Sequence, residues 1–172
     1  METIILTFQY TLNDFVKAQR QYLIANKTIR KYDPALLAVF LLFSILFRFF
    51  ADLHILGTIL FTIALIVCAL EAFLYFCYPI LIFKNNLKYR DEYTLTFSNE
   101  DIKFKTQSID SVLQWNIYSA FWESSDFYFL IQSPRVYTFV PKRVFNNPTD
   151  KRMFESMALF NIKTVNRNKT KW

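Results

Sequence analysis

Two apolar runs, Ala35–Phe47 and Ile55–Phe83, flank a short stretch that contains Arg48, Asp52 and His54, and nothing else in the chain limits its fold so sharply. A helix crosses the ~30 Å hydrocarbon core with about 20 mostly apolar residues. The second run has 29 residues, about 43 Å of helix at 1.5 Å per residue, and the first suffices if it borrows Arg48–Ala51. A helix of a soluble protein shows a polar stripe, whereas Ile59–Leu70 offers only Thr62 and Cys68 in three turns. The reading is a transmembrane hairpin, residues 34–83, with spans at about 34–51 and 56–80, rather than a buried hairpin of a soluble core. No cleaved signal peptide is expected, because the first apolar run starts late and no small-residue cleavage site follows it.

Basic residues set the orientation. Lys17, Arg20, Lys27, Arg30 and Lys31 precede the first run, Lys84, Lys88 and Arg90 follow the second, and only Arg48 lies between. The positive-inside rule therefore predicts a multi-pass protein of the cytoplasmic membrane with both termini in the cytoplasm. The net charge is +6, and residues 84–172 carry fourteen Lys/Arg against nine Asp/Glu. An anionic leaflet attracts such a surplus, although topology and solubility account for it equally well. The basic residues are scattered and no nucleic-acid motif accompanies them, so no nucleic-acid partner is expected.

Three features inside the spans carry chemistry. Pro79 has no N–H for the helix ladder and clashes with the preceding turn, which predicts a kink near Leu74–Tyr78, with Tyr75 and Tyr78 as interfacial anchors. Arg48 and Glu71 lie at opposite ends of the hairpin and cannot pair. Arg48 is expected to snorkel outward, and Glu71 to meet Arg30, Lys31 or Tyr75 in a membrane-assembly role. Cys68 and Cys77 fall on opposite sides of one helix, so no disulfide joins them.

Residues 1–33 read as a cytoplasmic strand, Thr3–Tyr10, and a helix from Leu12 to Ile29 capped by Thr11 with Asp14 in its first turn. That helix lies on the membrane or packs on the C-terminal domain; its pattern fits both. From Tyr93 the apolar period becomes two. Strands are expected at Tyr93–Phe97, Ile102–Lys105, Ser111–Trp115, Ile117–Glu123, Phe127–Gln132 and Val136–Val140, forming an antiparallel meander closed into a small barrel or sandwich. Asn147 and Pro148 then open a helix whose stripe of Met153, Phe154, Met157 and Phe160 covers the strands. Residues 166–172 read as a frayed basic tail. The β domain, with its helix, is placed at 91–165.

The run Tyr93–Ser98, Gln114-Trp115-Asn116-Ile117, Asp126–Ile131 and Pro141-Lys142-Arg143-Val144-Phe145, behind two adjacent spans, resembles the YcxB-like family of small bacterial membrane proteins. The resemblance implies a C-terminal domain similar to bacterial pleckstrin-homology (PH-like) domains, a bent antiparallel sheet closed by a helix, and brings no catalytic residues. The expected fold is thus a membrane α+β protein: a two-helix transmembrane hairpin plus a small antiparallel PH-like β domain capped by a C-terminal helix.

Catalysis is not expected. The one histidine, His54, sits in the outer loop, which leaves no relay partner for a nucleophile in the cytoplasmic part. Gly57 is the only glycine, so there is no phosphate-cradling loop, and metal-ligand spacing and cofactor motifs are absent. Asp91/Glu92 and Glu100/Asp101 fall in junctions and turns, where solvated charge is the ordinary role. Binding remains. Lys103, Lys105, Arg135, Lys142 and Arg143 lie on strands or beside turns, and some of them would gather at one mouth of the domain and face anionic lipid headgroups or an acidic protein partner, although Lys103 and Lys105 also read simply as the solvent face of a strand. The alternative is an accessory or regulatory subunit of a membrane complex, with Glu71 and Arg48 in helix assembly and sheet edges or Trp122, Tyr128 and Phe139 gripping another membrane protein.

Overall fold

The computed structural model describes residues 3–30, 32–50 and 54–167, without the side chains of Phe50 and Arg167. Strand β1 (Ile4–Gln9) leads into α1 (Leu12–Ala25), α2 (Asp33–Phe50) and α3 (His54–Ala72). A π-helical turn at Phe73–Cys77 joins α3 to α4 (Tyr78–Asn85). Strands β2 (Glu92–Phe97), β3 (Asp101–Lys105), β4 (Asp110–Gln114), β5 (Ala120–Glu123), β6 (Phe127–Ser133) and β7 (Val136–Pro141) follow, then α5 (Pro148–Asn161) and β8 (Thr164–Arg167).

The strands form two four-stranded sheets, in the orders β1-β2-β3-β4 and β7-β6-β5-β8. The N-terminal strand is an edge of the first sheet, antiparallel to β2 with Leu6 opposite Leu95 and Phe8 opposite Tyr93. Its alternation is clean: Ile4, Leu6 and Phe8 are buried while Ile5, Thr7 and Gln9 are exposed. The second sheet differs from a simple meander in one pairing, since β8 runs parallel to β5. Asn166 and Arg167 therefore belong to a strand and not to a frayed tail; residues 168–172 lie outside the described residues. Two further corrections concern Trp115 and Ile117, which sit in a 3-10 turn between β4 and β5 rather than in strands. The Trp115 Nε1–H is spent on the Ser98 carbonyl at 2.8 Å, which ties that turn to the β2–β3 hairpin.

The second sheet is covered on both faces. Phe121 and Tyr128 point to α5, where Phe154 lies 5.2 Å from the Tyr128 ring and 4.7 Å from Phe97 of the first sheet. Trp122 and Phe129 point to α1, against Tyr22. Burial on both faces explains the unbroken apolar run of β6, because a strand with no solvent face loses its alternation. Helix α1 is thus a packed helix: Phe15 meets Phe139 on one side and Phe83 and Tyr89 on the other. Its start is a capping box in which Thr11 Oγ1 accepts the Asp14 N–H and Asp14 accepts the Thr11 N–H, both at 3.0 Å. Asn147 caps α5 through the Thr149 N–H at 2.9 Å, with Pro148 at the first helical position.

Helix α2 folds back along α3. A Cβ on Gly57 would stand 2.5 Å from the Arg48 backbone nitrogen, so only glycine permits this approach. Ala64 and Ser44 are the other buried small residues of the pair.

Candidate functional site

Among the described residues one helix, the continuous stretch His54–Asn85 of 32 residues, is long and apolar enough to cross a membrane. Length and composition thus pick out one crossing helix where the sequence reading expected a hairpin of two. Of the residues in its most apolar 18-residue stretch only 6 % are buried. Ile55, Ile59, Ile63, Ile66, Leu70 and Phe73 are among the large side chains that it leaves exposed.

The kink falls where Pro79 requires it. The helix widens to a π turn over Phe73–Cys77, the Tyr78 N–H reaching back to the Phe73 carbonyl. The carbonyl that Pro79 cannot use is that of Tyr75, four residues earlier. It accepts Arg20 Nε–H at 3.2 Å, and the same guanidinium lies 4.7 Å from the Tyr75 ring centroid and 5.3 Å from that of Phe76. A residue that the sequence assigns only to the topology signal is therefore the clasp between α1 and the kinked helix.

Arg48 and Glu71 stay apart. Arg48 donates to Thr58 Oγ1 at 3.0 Å and lies over the Phe49 ring, while its carbonyl faces His54 Nδ1 at 2.6 Å. Glu71 has no ion-pair or hydrogen-bond partner among the described residues. Neither Arg30 nor Tyr75 reaches it, and Lys31 lies outside the described residues. The carboxylate instead borders two clefts, of about 480 and 440 Å³. Asp33, Leu36 and Phe40 help line the first, and Ile29, Leu41, Cys68 and Phe76 the second. Both cysteines are free.

The five basic residues considered for that mouth separate into two groups. Arg143 grips Asp14, with Nη2 2.5 Å from Oδ2 and Nε 3.1 Å from both carboxylate oxygens, and also donates to the Gln9 carbonyl. Burial alone would raise the Asp14 carboxyl, but hydrogen bonds from Arg143 and Thr11 hold it below the usual carboxylate range. Lys142 pairs with Glu123 at 2.8 Å and lies over the Tyr128 ring. Both are structural ties. Lys103 and Lys105 project from the exposed face of the first sheet, beside Thr94 and Thr96 of β2, and Arg135 sits in the β6–β7 turn on the second sheet. Trp122, Tyr128 and Phe139, expected to grip a partner, are buried. Among the described residues of α5 and the strands, Phe160 of α5 is the exposed aromatic, 87 % accessible, at a cavity of about 330 Å³ with Asn99 and Met153.

A cavity of about 230 Å³ opens where the chain enters β2, and Tyr10, Lys88, Tyr89, Tyr93 and Tyr137 contribute to its wall. Tyr10 donates to the Phe139 carbonyl at 2.6 Å and Tyr93 to the Lys88 carbonyl at 2.5 Å. Burial, helped by neighbouring phenols, pushes Tyr10 and Tyr137 upward, and burial pushes Tyr93 up to about 12. All three stay neutral at physiological pH, Tyr10 and Tyr93 as donors to backbone carbonyls and Tyr137 with its hydroxyl buried.

Residues 97–158 match the family profile described as YcxB-like protein. This is a YcxB-like region. It runs from the end of β2 through the second sheet into α5, so it contains the stretch over which Phe97, Phe121, Tyr128 and Phe154 meet. No curated protein and no solved structure matches the chain. The YcxB-like region does not close on its own: β1 and α1, which precede α2 and α3 in the chain, complete the first sheet and cover the second.

Proposed function

We propose that the protein is a non-catalytic, double-spanning membrane protein that holds a YcxB-like, PH-like module against the cytoplasmic leaflet, where exposed cations bind anionic lipid headgroups. The observation that carries this reading is the apolar wall of His54–Asn85, whose most apolar 18-residue stretch is only 6 % buried, a surface that water would not tolerate at this length. Helix α2, with Leu36, Val39, Leu42, Phe43 and Leu46 exposed in the same way, is the second span. The surplus of Lys and Arg on the flanks faces the cytoplasm. The helix is about 48 Å long against a ~30 Å core, so α4 emerges through the headgroups and delivers Lys84 and Lys88 to the leaflet surface.

Topology is tested by cysteine labelling of intact cells in a variant lacking Cys68 and Cys77. A cysteine at His54 should label from outside, and one at Asn99 only after permeabilisation; the reverse pattern would refute the orientation. The headgroup reading is tested by titrating short-chain phosphatidylglycerol onto the detergent-solubilised full chain. Each surface cation contributes about 1 kcal/mol, so the triple change of Lys103, Lys105 and Arg135 to Gln should weaken binding about tenfold or more. Equal affinity would reject it. One feature favours a second reading, an accessory subunit of a membrane complex: Phe160 is presented to solvent beside the Met153–Asn99 cavity. A stoichiometric protein that copurifies with the parent and is lost from Phe160→Ser would support that reading.

A further inference from the structure

The 440 Å³ cleft at Glu71 has the size of a ligand pocket, and its wall is almost wholly apolar. Glu71 is the exception. It lies about 26 Å along the helix from His54 at 1.5 Å rise per residue, near the cytoplasmic edge of the hydrocarbon core in the orientation proposed above. A carboxylate at that depth calls for a hydrogen-bond donor, and the described residues supply none. A second charge is packed on two of the wall residues. Arg20 is seated on Tyr75 and Phe76, and both of those residues line the cleft. An acidic group in the apolar cleft and a cation seated on two residues of its wall thus lie close to one another. That order of charges complements a zwitterionic lipid.

We propose that this cleft is a lipid site selective for a headgroup with a primary ammonium, the phosphatidylethanolamine type. The ammonium donates to Glu71, the phosphate faces Arg20, and an acyl chain lies against Leu37, Leu41 and Phe76. Phosphatidylcholine has the same charges but no N–H to donate, and phosphatidylglycerol brings no cation to Glu71, so the cleft discriminates against both. The proposal rests on the membrane reading but not on the anionic-headgroup site, which uses other residues.

The test is native mass spectrometry of the full-length protein in detergent, supplied with equal amounts of phosphatidylethanolamine, phosphatidylcholine and phosphatidylglycerol of identical chains. The parent should retain the first several-fold over the other two. Glu71→Gln should bring it down to the level of phosphatidylcholine, and Ala38→Leu, which fills the cleft without altering charge, should lower retention of every lipid. Equal retention by the parent, an undiminished preference in Glu71→Gln, or displacement of the lipid by soluble ethanolamine would each overturn the proposal. Release of the protein from membranes by alkaline carbonate without detergent would instead refute the membrane reading beneath it.

Discussion

The helix pair and the two-sheet module use the same kinds of side chain in opposite ways. In the module the large aromatics turn inward: Phe15, Phe97, Phe121, Phe127, Phe129 and Phe154 are at most 1 % exposed. In the helix pair the large side chains turn outward and the contact surface is made by Gly57, Ala64 and Ser44. Water drives large apolar groups together, whereas lipid gives them no reason to leave the surface and rewards close backbone packing through small residues. One chain that is 53 % hydrophobic thus has one region with its large side chains inside and another with them outside.

The largest effect should come from breaking the inward half. Phe154 joins Phe97, Phe121, Tyr128 and Phe145 across both sheets, so Phe154→Ala should cost about 3–5 kcal/mol. Ile63→Ala on the outward wall should cost less than about 1 kcal/mol in the same detergent. Chemical denaturation of the two variants measures the difference directly. Equal costs would mean that the wall is a core covered by something other than lipid.

A smaller effect isolates the helix pair. Gly57→Ala places a methyl against the Arg48 backbone, and the helices must part, at a cost of about 1–3 kcal/mol. A thiol pair introduced across α2 and α3 should crosslink more slowly in this variant, while Trp115 and Trp122 fluorescence from the module stays unchanged. An unaltered crosslinking rate would show that the close approach does not hold the pair together.

Sequence reading succeeded where local chemistry decides and failed where distant strands do. The Thr11–Asp14 and Asn147–Pro148 helix starts, the Pro79 distortion and the β2–β3 hairpin are each specified within a few residues, and the structure has them all. The place of β1 beside β2 was not legible, because about eighty intervening residues erase any local sign of the pairing. Strand β8 was hidden for the same reason, as Asn166 and Arg167 read as the start of a basic tail until β5 lies beside them. Among the site residues, Lys142 and Arg143 looked like free cations because their partners, Glu123 and Asp14, are remote in sequence. Arg20 was overlooked as a contact, yet a signal existed: a proline in a helix frees a carbonyl four residues back, and a basic residue that can reach it is worth seeking.

The Asp14–Arg143 pair ties the N-terminal arm to the YcxB-like region and gives the module a pH dependence. Asp14 has its carboxyl held below the ordinary value near 3.9. Its contribution is present above that value and is lost as pH falls through the lower, folded-state one. Stability of the parent should therefore be level through neutrality and drop below about pH 4. Arg143→Gln leaves Asp14 largely buried without its cation and should cost about 1–2 kcal/mol at pH 7, discounted for the half-exposed guanidinium. The acid-side slope of that variant should also be shallower; an identical slope in both proteins would remove Asp14 as its source.

The smallest expected effect lies where the two regions meet. Arg20 leaves the module to take the Tyr75 carbonyl and cover the Tyr75 and Phe76 rings, so it is a direct tie between the inward-packed and the outward-facing region. Arg20→Gln removes the guanidinium from the rings and the donor from the carbonyl, for about 1 kcal/mol in total. That loss is spread over neither region alone, because it belongs to their junction. Tryptophan fluorescence reports the module through Trp115 and Trp122, and far-UV circular dichroism is weighted toward the long helices. Two probes that agree indicate one cooperative unit, and probes that separate indicate two. The variant should increase the gap between the two midpoints more than it lowers either one, whereas Phe154→Ala should lower the fluorescence midpoint alone. If Arg20→Gln moves both midpoints together, the regions are coupled chiefly through the Phe15–Phe83 packing of α1 on α4, and the arginine is an accessory to it.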